Sequence, residues 1–246
     1  TLIRGPVNTQ VKLTVLRGTQ QLEFNLKRAK IEIHPVRASV QQSPTGKVGY
    51  IRLVQFSANA APEMRDAIQK LEKDNVTGYI LDLRSNPGGL LYASVDIARM
   101  WIQQGGIVST VDRQGVSDKE EANRRALTDK PLVVLVDGGS ASASEILSGA
   151  LQDNKRATIV GVKTFGKGLV QSVRSLGDGS GMAVTIAKYL TPNGRDINKH
   201  GIDPDVVIEL TEQQRQALVK DRDKIGTAND PQYVKAMQVL NQAISA

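Results

Sequence analysis

Ser140, Ser142 and Ser144 alternate through GGSASASEILSGAL, Gly138 to Leu151, where an apolar run suited to a strand gives way to one suited to a helix. Ser142-Ala-Ser-Glu145 has the spacing of a capping box, in which the hydroxyl starts a helix and the glutamate reaches back. The same position suits a nucleophile. A serine at the tip between a buried strand and a helix points its oxygen out of the sheet, although the G-x-S-x-G pattern of the nucleophile elbow is missing. The helix N-terminus adds free N–H groups and positive potential for an oxyanion. Ala141 and Ala143 leave room for a substrate backbone, so Ser142 is the candidate among the three. The residues themselves leave cap and nucleophile both open.

A serine nucleophile needs a base, and the chain has only two histidines. His34 precedes Pro35 in a strand-like stretch, and His200 lies in the loop-like NKHGIDP. A neutral lysine can replace histidine in Ser–Lys variants of the triad. Its pKa must then fall from about 10.4 to about 7–8, which corresponds to about 4 kcal/mol. TFGKGLVQ offers Lys167 between two glycines, with Phe165 and Leu169 as neighbours able to desolvate the amine; an exposed loop lysine is the plain alternative. Gly161 to Lys167 also fits the phosphate-loop spacing G-x-x-x-x-G-K. Gly168 stands where Ser or Thr is needed, and a strand-like run follows in place of a helix, which argues against a nucleotide site. Asn86-Pro87-Gly88-Gly89 is either an ordinary turn or a source of unobstructed N–H donors for an oxyanion.

The elements that must position these residues alternate between strand and helix, as in an α/β fold. VGYIRLVQF reads as a strand and APEMRDAIQKLEK as an amphipathic helix with Met64, Ile68 and Leu71 on one stripe. NVTGYILDLR suits a strand buried on both faces, LLYASVDIARMWIQ a helix, IVSTVD a strand, and residues 113–130 a charged loop or surface helix. PLVVLVD and ATIVG are strands on either side of the serine helix. LVQSVRSL and GMAVTIAKYLT form a further strand pair, and the chain from Thr211 is helical and polar. Ala38–Lys47 reads as a polar linker. At the start, LIRGP reads as a helix end and VKLTVLR–LEFNL as a hairpin with too little core to fold alone.

Composition removes several classes of function. With no cysteine and two histidines, disulfides, thiolate chemistry and a histidine-rich metal site are not expected. The net charge of +7 comes from basic residues spread among acids, without the clustered cations and stacking aromatics of a nucleic-acid face. Attraction to anionic surfaces, including peripheral membrane association, remains open. No run approaches the ~20 apolar residues of a membrane span. The first residue is threonine, which suggests a mature or trimmed product.

Together, DLRSNPGG, GGSASASEILSGALQDN, TFGKGLVQ and YLTPNGRDINKHGIDPDV resemble, in order and spacing, the carboxyl-terminal processing peptidases, or tail-specific proteases. The similarity is greatest to cyanobacterial and plastid forms. The resemblance implies a crotonase/ClpP-like α/β catalytic core over residues 32–246, with a linker at 36–47 and a helical region at 211–246. Residues 1–31 would be the second part of a PDZ-like domain. It implies a serine endopeptidase acting from or near protein C-termini through an acyl-enzyme. Ser142 would be the nucleophile, Lys167 the base and Gln171 the residue that positions its amine. The Gly88 and Ala143 N–H groups would form the oxyanion hole, Asp153 would support activity, and Glu145 would remain a cap. No metal or organic cofactor is implied. The implied partners are proteins or peptides with accessible, apolar C-terminal tails, met outside the cytosol in a bacterial periplasm or thylakoid lumen. Two rival readings are a silent binding or scaffold protein on the same fold and a crotonase-like thioester enzyme.

Overall fold

The structure, a computed structural model, describes residues 2–30 and 34–246, and the chain separates into two compact units, residues 1–33 and 34–246. The boundary expected after residue 31 falls outside the described residues. In the small unit, β1 (Gln10–Arg17) and β2 (Gln20–Lys27) form an antiparallel hairpin in register from Gln10↔Lys27 to Arg17↔Gln20. Most of its side chains are exposed, as expected of two strands without a third layer. The helix end expected at Leu2–Pro6 is absent among the described residues. The Arg28 guanidinium takes the Leu2 and Ile3 carbonyls at 3.0 and 2.9 Å, so they are not satisfied along a helix.

In the large unit, β3 (Val36–Ser43), β4 (Gly46–Leu53), α1 (Ala60–Lys73), β5 (Gly78–Asp82) and α2 (Leu91–Trp101) come first. They are followed by β6 (Gly106–Asp112), β7 (Gly115–Glu121), β8 (Leu132–Val136), α3 (Ala143–Asp153) and β9 (Thr158–Gly161). The chain ends with β10 (Leu169–Ser175), β11 (Gly181–Leu190), β12 (Val206–Val207), α4 (Glu212–Lys220), a 3₁₀ turn at Arg222–Lys224 and α5 (Pro231–Ser245). A six-stranded sheet runs β12-β9-β8-β5-β4-β3, parallel except for β3, and a four-stranded antiparallel sheet runs β10-β11-β6-β7.

Both faces of the six-stranded sheet are covered, which explains its unbroken apolar runs. Tyr79, Leu81, Val134 and Val136 pack with Met64 and Ile68 of α1, Ile97 of α2 and Leu147 of α3. The intervening Ile80, Val133 and Leu135 pack with Tyr233, Ala236 and Leu240 of α5. Because β5 and β8 are parallel neighbours, the turns that follow them leave the sheet at the same edge. Those two turns carry Gly88 and Ser142.

Two expectations are corrected here. Residues 36–47 are not a linker: β3 pairs with β4 from Val36↔Leu53 to Ser43↔Gly46. Its polar side chains are compatible with a strand because β3 is an edge, where charge and polarity protect against further pairing. The charged stretch after Asp112 likewise contains an edge strand, β7, antiparallel to β6. The region from Thr211 is helical as expected, but α5 buries Gln232, Tyr233, Ala236 and Leu240 against the sheet and is not merely polar. No helix among the described residues is long and apolar enough to cross a membrane.

Candidate active site

The three serines separate by burial. Ser140 and Ser144 are fully buried and give their hydroxyls to backbone carbonyls, Ser140 to Leu83 and Ser144 to Asn86, both at 2.9 Å. Ser142 is half-buried, with φ 55° and ψ −114°. A serine rarely adopts that backbone conformation, and such strain collects at functional sites. Its hydroxyl lies beside the Glu145 amide without forming a full cap hydrogen bond. The Ala143 N–H, first in α3, has no acceptor among the described residues and sits at the positive end of the helix dipole.

The turn after β5 is pressed against this serine. A Cβ on Gly88 would lie 2.8 Å from Ser142 Cβ and 2.9 Å from the Ala143 nitrogen, and Gly88 has φ +98°. Only glycine fits there. The Gly88 N–H, expected as an oxyanion donor, is already given to Asn86 Oδ1 at 2.9 Å. Asn86 is buried and binds the two turns together: its Nδ2 donates to Leu53 O, and its own carbonyl accepts from the Ala141 N–H and the Ser144 hydroxyl. Asp137 makes a second link. It accepts from the Ser85 N–H at 2.7 Å, the Ser85 hydroxyl, and the Gly139 N–H at 2.9 Å.

Glu145 does far more than cap. Its carboxylate is fully buried and accepts four hydrogen bonds. Oε1 takes the Thr164 hydroxyl at 2.5 Å and the Gly166 N–H at 2.7 Å. Oε2 takes the Ser142 N–H at 2.8 Å and the Lys167 N–H at 2.9 Å. The sequence spacing shows only the Ser142 partner, at the start of the helix; the other three come from a loop about twenty residues downstream. That loop is held from below by the turn at 199–201, whose Lys199 N–H donates to Gly166 O at 2.8 Å.

The lysine side chain is placed differently from its backbone. Lys167 is exposed, and among the described residues its amine makes no hydrogen bond to Ser142. Phe165 and Leu169, expected to desolvate it, are 67% and 38% exposed. Gln171 is also exposed, in β10 beside a register shift, and makes no hydrogen bond to Lys167. Asp153 is not at the site. It closes the far end of α3, about 16 Å from Ser142 along the helix, where its nearly buried carboxylate accepts from the Asn193 N–H and pairs with Arg195. His34 pairs with Glu63 on α1, and among the described residues neither histidine hydrogen-bonds to Ser142. No cluster of metal-ligating side chains occurs among the described residues.

One group at this sheet edge was not foreseen. Arg84, just past β5, binds Asp82 at 2.6 Å and Asp230 at 2.7 Å, all three buried. Tyr50 donates to Asp82 at 2.7 Å. Burial opposes ionisation of Asp82, but Arg84 outweighs it and holds the carboxyl below its ordinary value. Burial, then the Asp82 charge, push the Tyr50 hydroxyl well up. Asp230 starts α5, so this ion triplet fixes the C-terminal segment to the strand that carries the Gly88 turn.

Comparison with known proteins adds the family. Residues 47–208 match the model of Peptidase family S41. A carboxyl-terminal-processing protease of Synechocystis sp. is 52% identical over 246 residues, covering 99% of this chain and 56% of that protein. Carboxyl-terminal-processing peptidase 2, chloroplastic, of Arabidopsis thaliana is 42% identical, covering 83% of this chain and 41% of that protein. The solved photosystem II D1 C-terminal processing protease is similar with TM-score 0.69 and 41% identity, over 83% of this chain and 57% of that one. The chain thus spans about half the length of these relatives.

Proposed function

Since the chain belongs to Peptidase family S41, we propose that it is a serine endopeptidase that cuts proteins at or near their C-termini. Ser142 is the nucleophile and Lys167 the base. The observation that carries this reading is the strained backbone of Ser142 at the β8–α3 tip, next to an unpartnered Ala143 N–H. Both suit acyl transfer: a half-buried hydroxyl held at a strand–helix tip and a prepared donor for the oxyanion.

Glu145 supports the lysine assignment. Two amides on one carboxylate oxygen place the Ser142 and Lys167 nitrogens within about 6 Å of each other. A rotamer change then brings the Lys167 amine to the serine hydroxyl. In the reaction the neutral amine takes the Ser142 proton as the hydroxyl attacks the scissile carbonyl. The oxyanion forms at the Ala143 N–H, and Gly88 joins when Asn86 Oδ1 shares its proton. The ammonium returns the proton to the leaving amine, and water hydrolyses the ester. Gln171 positions the amine. The substrates are proteins with accessible apolar tails, met outside the cytosol, and residues 1–31 are part of a PDZ-like unit that takes such tails.

A silent scaffold is the second reading, favoured by the exposed Lys167 and the committed Gly88 N–H. The experiment is hydrolysis of an unstructured protein with an apolar tail, read by mass spectrometry, for the parent, Ser142→Ala and Lys167→Ala. Cleavage by the parent that falls at least about 10³-fold in both variants is expected. Near-normal turnover in Lys167→Ala removes it from the mechanism, and an inert parent with its fold intact leaves the scaffold.

A further inference from the structure

A cleft of about 440 Å³ opens beyond the C-terminal ends of β4, β5 and β8, beside the Ser85–Asp137 link and under α4 and the 3₁₀ turn. Four arginines line it: Arg52, Arg84, Arg215 and Arg222. Arg84 is neutralised by Asp82 and Asp230. Among the described residues Arg52 and Arg222 have no carboxylate partner, and Arg215 has only the exposed Glu212 at 4.0 Å. The Nε of Arg52 is buried with no hydrogen-bond acceptor. Buried donors are normally satisfied, so the protein itself leaves the Arg52 guanidinium under-bonded. Asp137 is the one acid in the lining, and its oxygens are occupied by Ser85, Gly139 and Ser140. Glu209 lies in the adjoining groove.

The rest of the lining narrows the ligand. Val54, Leu218 and Ile225 give the cleft an apolar wall beside the guanidinium groups. No aromatic side chain lines it to stack a base, and no glycine-rich loop lines it to cradle phosphates. A carboxylate attached to an aliphatic side chain satisfies both halves, since guanidinium binds carboxylate in a bidentate fork. The position also follows the rule that open α/β sheets bind ligands at the carboxyl ends of their strands.

We propose that this cleft binds the C-terminal carboxylate of a peptide ending in an aliphatic residue, with Arg52, Arg215 and Arg222 on the carboxylate and Leu218 and Ile225 on the side chain. The choice of a peptide among carboxylates rests on the peptidase reading. The site does not use Ser142, so the two can be tested apart.

Calorimetric titration of the Ser142→Ala chain compares acetyl-Ala-Ala-Leu as free acid with its C-terminal amide and with inorganic phosphate. The free acid is expected to bind, the amide about tenfold or more weaker, and phosphate weaker still. Arg222→Gln, on the exposed 3₁₀ turn, and Arg52→Gln are each expected to weaken the free acid about tenfold at unchanged Tm. If Arg52→Gln misfolds, Arg222→Gln alone decides. No binding, equal binding of acid and amide, or unaltered binding in the folded arginine variants overturns the proposal. Phosphate binding as tightly as the tripeptide overturns the peptide assignment in favour of a bare anion site. Binding that holds while the parent fails to hydrolyse protein leaves this site in place and removes the peptidase reading.

Discussion

The backbone amides of Ser142 and Lys167 donate to one atom, Oε2 of Glu145, at 2.8 and 2.9 Å. The two residues come from opposite ends of a helix–strand excursion, and a single buried carboxylate fixes both. The other oxygen holds Thr164 and Gly166, so the whole loop before Lys167 hangs on this side chain.

Glu145→Gln is therefore a severe substitution despite its shape. An amide presents one oxygen and one NH₂ to four donors, leaving two N–H or O–H groups facing a donor. The expected loss is about 3 kcal/mol or more. Urea unfolding followed by fluorescence of Trp101, the single tryptophan, measures it. Hydrolysis by the folded fraction should fall at least about tenfold, because the loop carrying Lys167, the proposed base, is no longer held beside Ser142. A variant with parental stability and turnover would leave Glu145 a simple cap.

Ser142 itself distinguishes cap from strained nucleophile by the sign of one substitution. For an N-cap, Ser→Ala costs about 0.5–2 kcal/mol and Ser→Gly a few tenths. At φ 55° and ψ −114° glycine relieves strain of about 1–3 kcal/mol, partly offset by its greater unfolded-state entropy. Ser142→Gly should thus gain about 1 kcal/mol and lose all hydrolysis, while Ser142→Ala gains nothing. Denaturant midpoints for the three proteins give the order, and a Ser142→Gly protein weaker than the parent sinks the strain argument.

How far this site could be read in advance depended on the range of each contact. Ser142 and Gly88 were legible because strand ends and turn glycines leave local patterns. The four-point grip of Glu145 was not, since three of its partners lie some twenty residues away. Asp153, expected from the resemblance to support activity, ends α3, where it fixes the turn at Asn193 and Arg195. β3 and β7 were missed because edge strands tolerate the polarity that otherwise marks loops. The Arg84 triplet could not be foreseen, because Asp230 is 146 residues from Arg84 and only the folded sheet joins them.

That triplet gives a pH dependence with a definite sign. In the parent, Arg84 holds Asp82 below its ordinary value near 3.8, against the pull of burial. A depressed carboxyl contributes stability above its unfolded pKa and loses it as pH falls through the folded one, so this contribution is present at pH 5–8 and fades below about 3.8. Arg84→Met removes the counter-charge and leaves burial opposed only by the Tyr50 hydroxyl and the backbone N–H of residue 84, which raises the Asp82 pKa relative to the parent. The variant should lose about 3–5 kcal/mol at pH 7 and recover part of it as pH falls towards 5. Urea midpoints at pH 5, 6 and 7 test this. A variant whose stability does not rise on acidification shows that Asp82 is not left as a buried charge.

Gly88 offers the sharpest steric test. At φ +98° a methyl group there would stand 2.6 Å from the Ala141 carbonyl oxygen and 2.8 Å from Ser142 Cβ, so neither turn can keep its place. Gly138, four residues before Ser142 in the chain, has nothing within 4 Å of an added Cβ. Gly138→Ala should leave stability within about 0.5 kcal/mol of the parent. Gly88→Ala should cost about 2–4 kcal/mol through backbone strain and overpacking, and the folded remainder should be unable to hydrolyse protein. The pair separates loss of a turn glycine in general from loss of this contact. A Gly88→Ala protein with parental turnover would mean that the β5 turn does not need to press on Ser142, and the proposed oxyanion site would then rest on Ala143 alone.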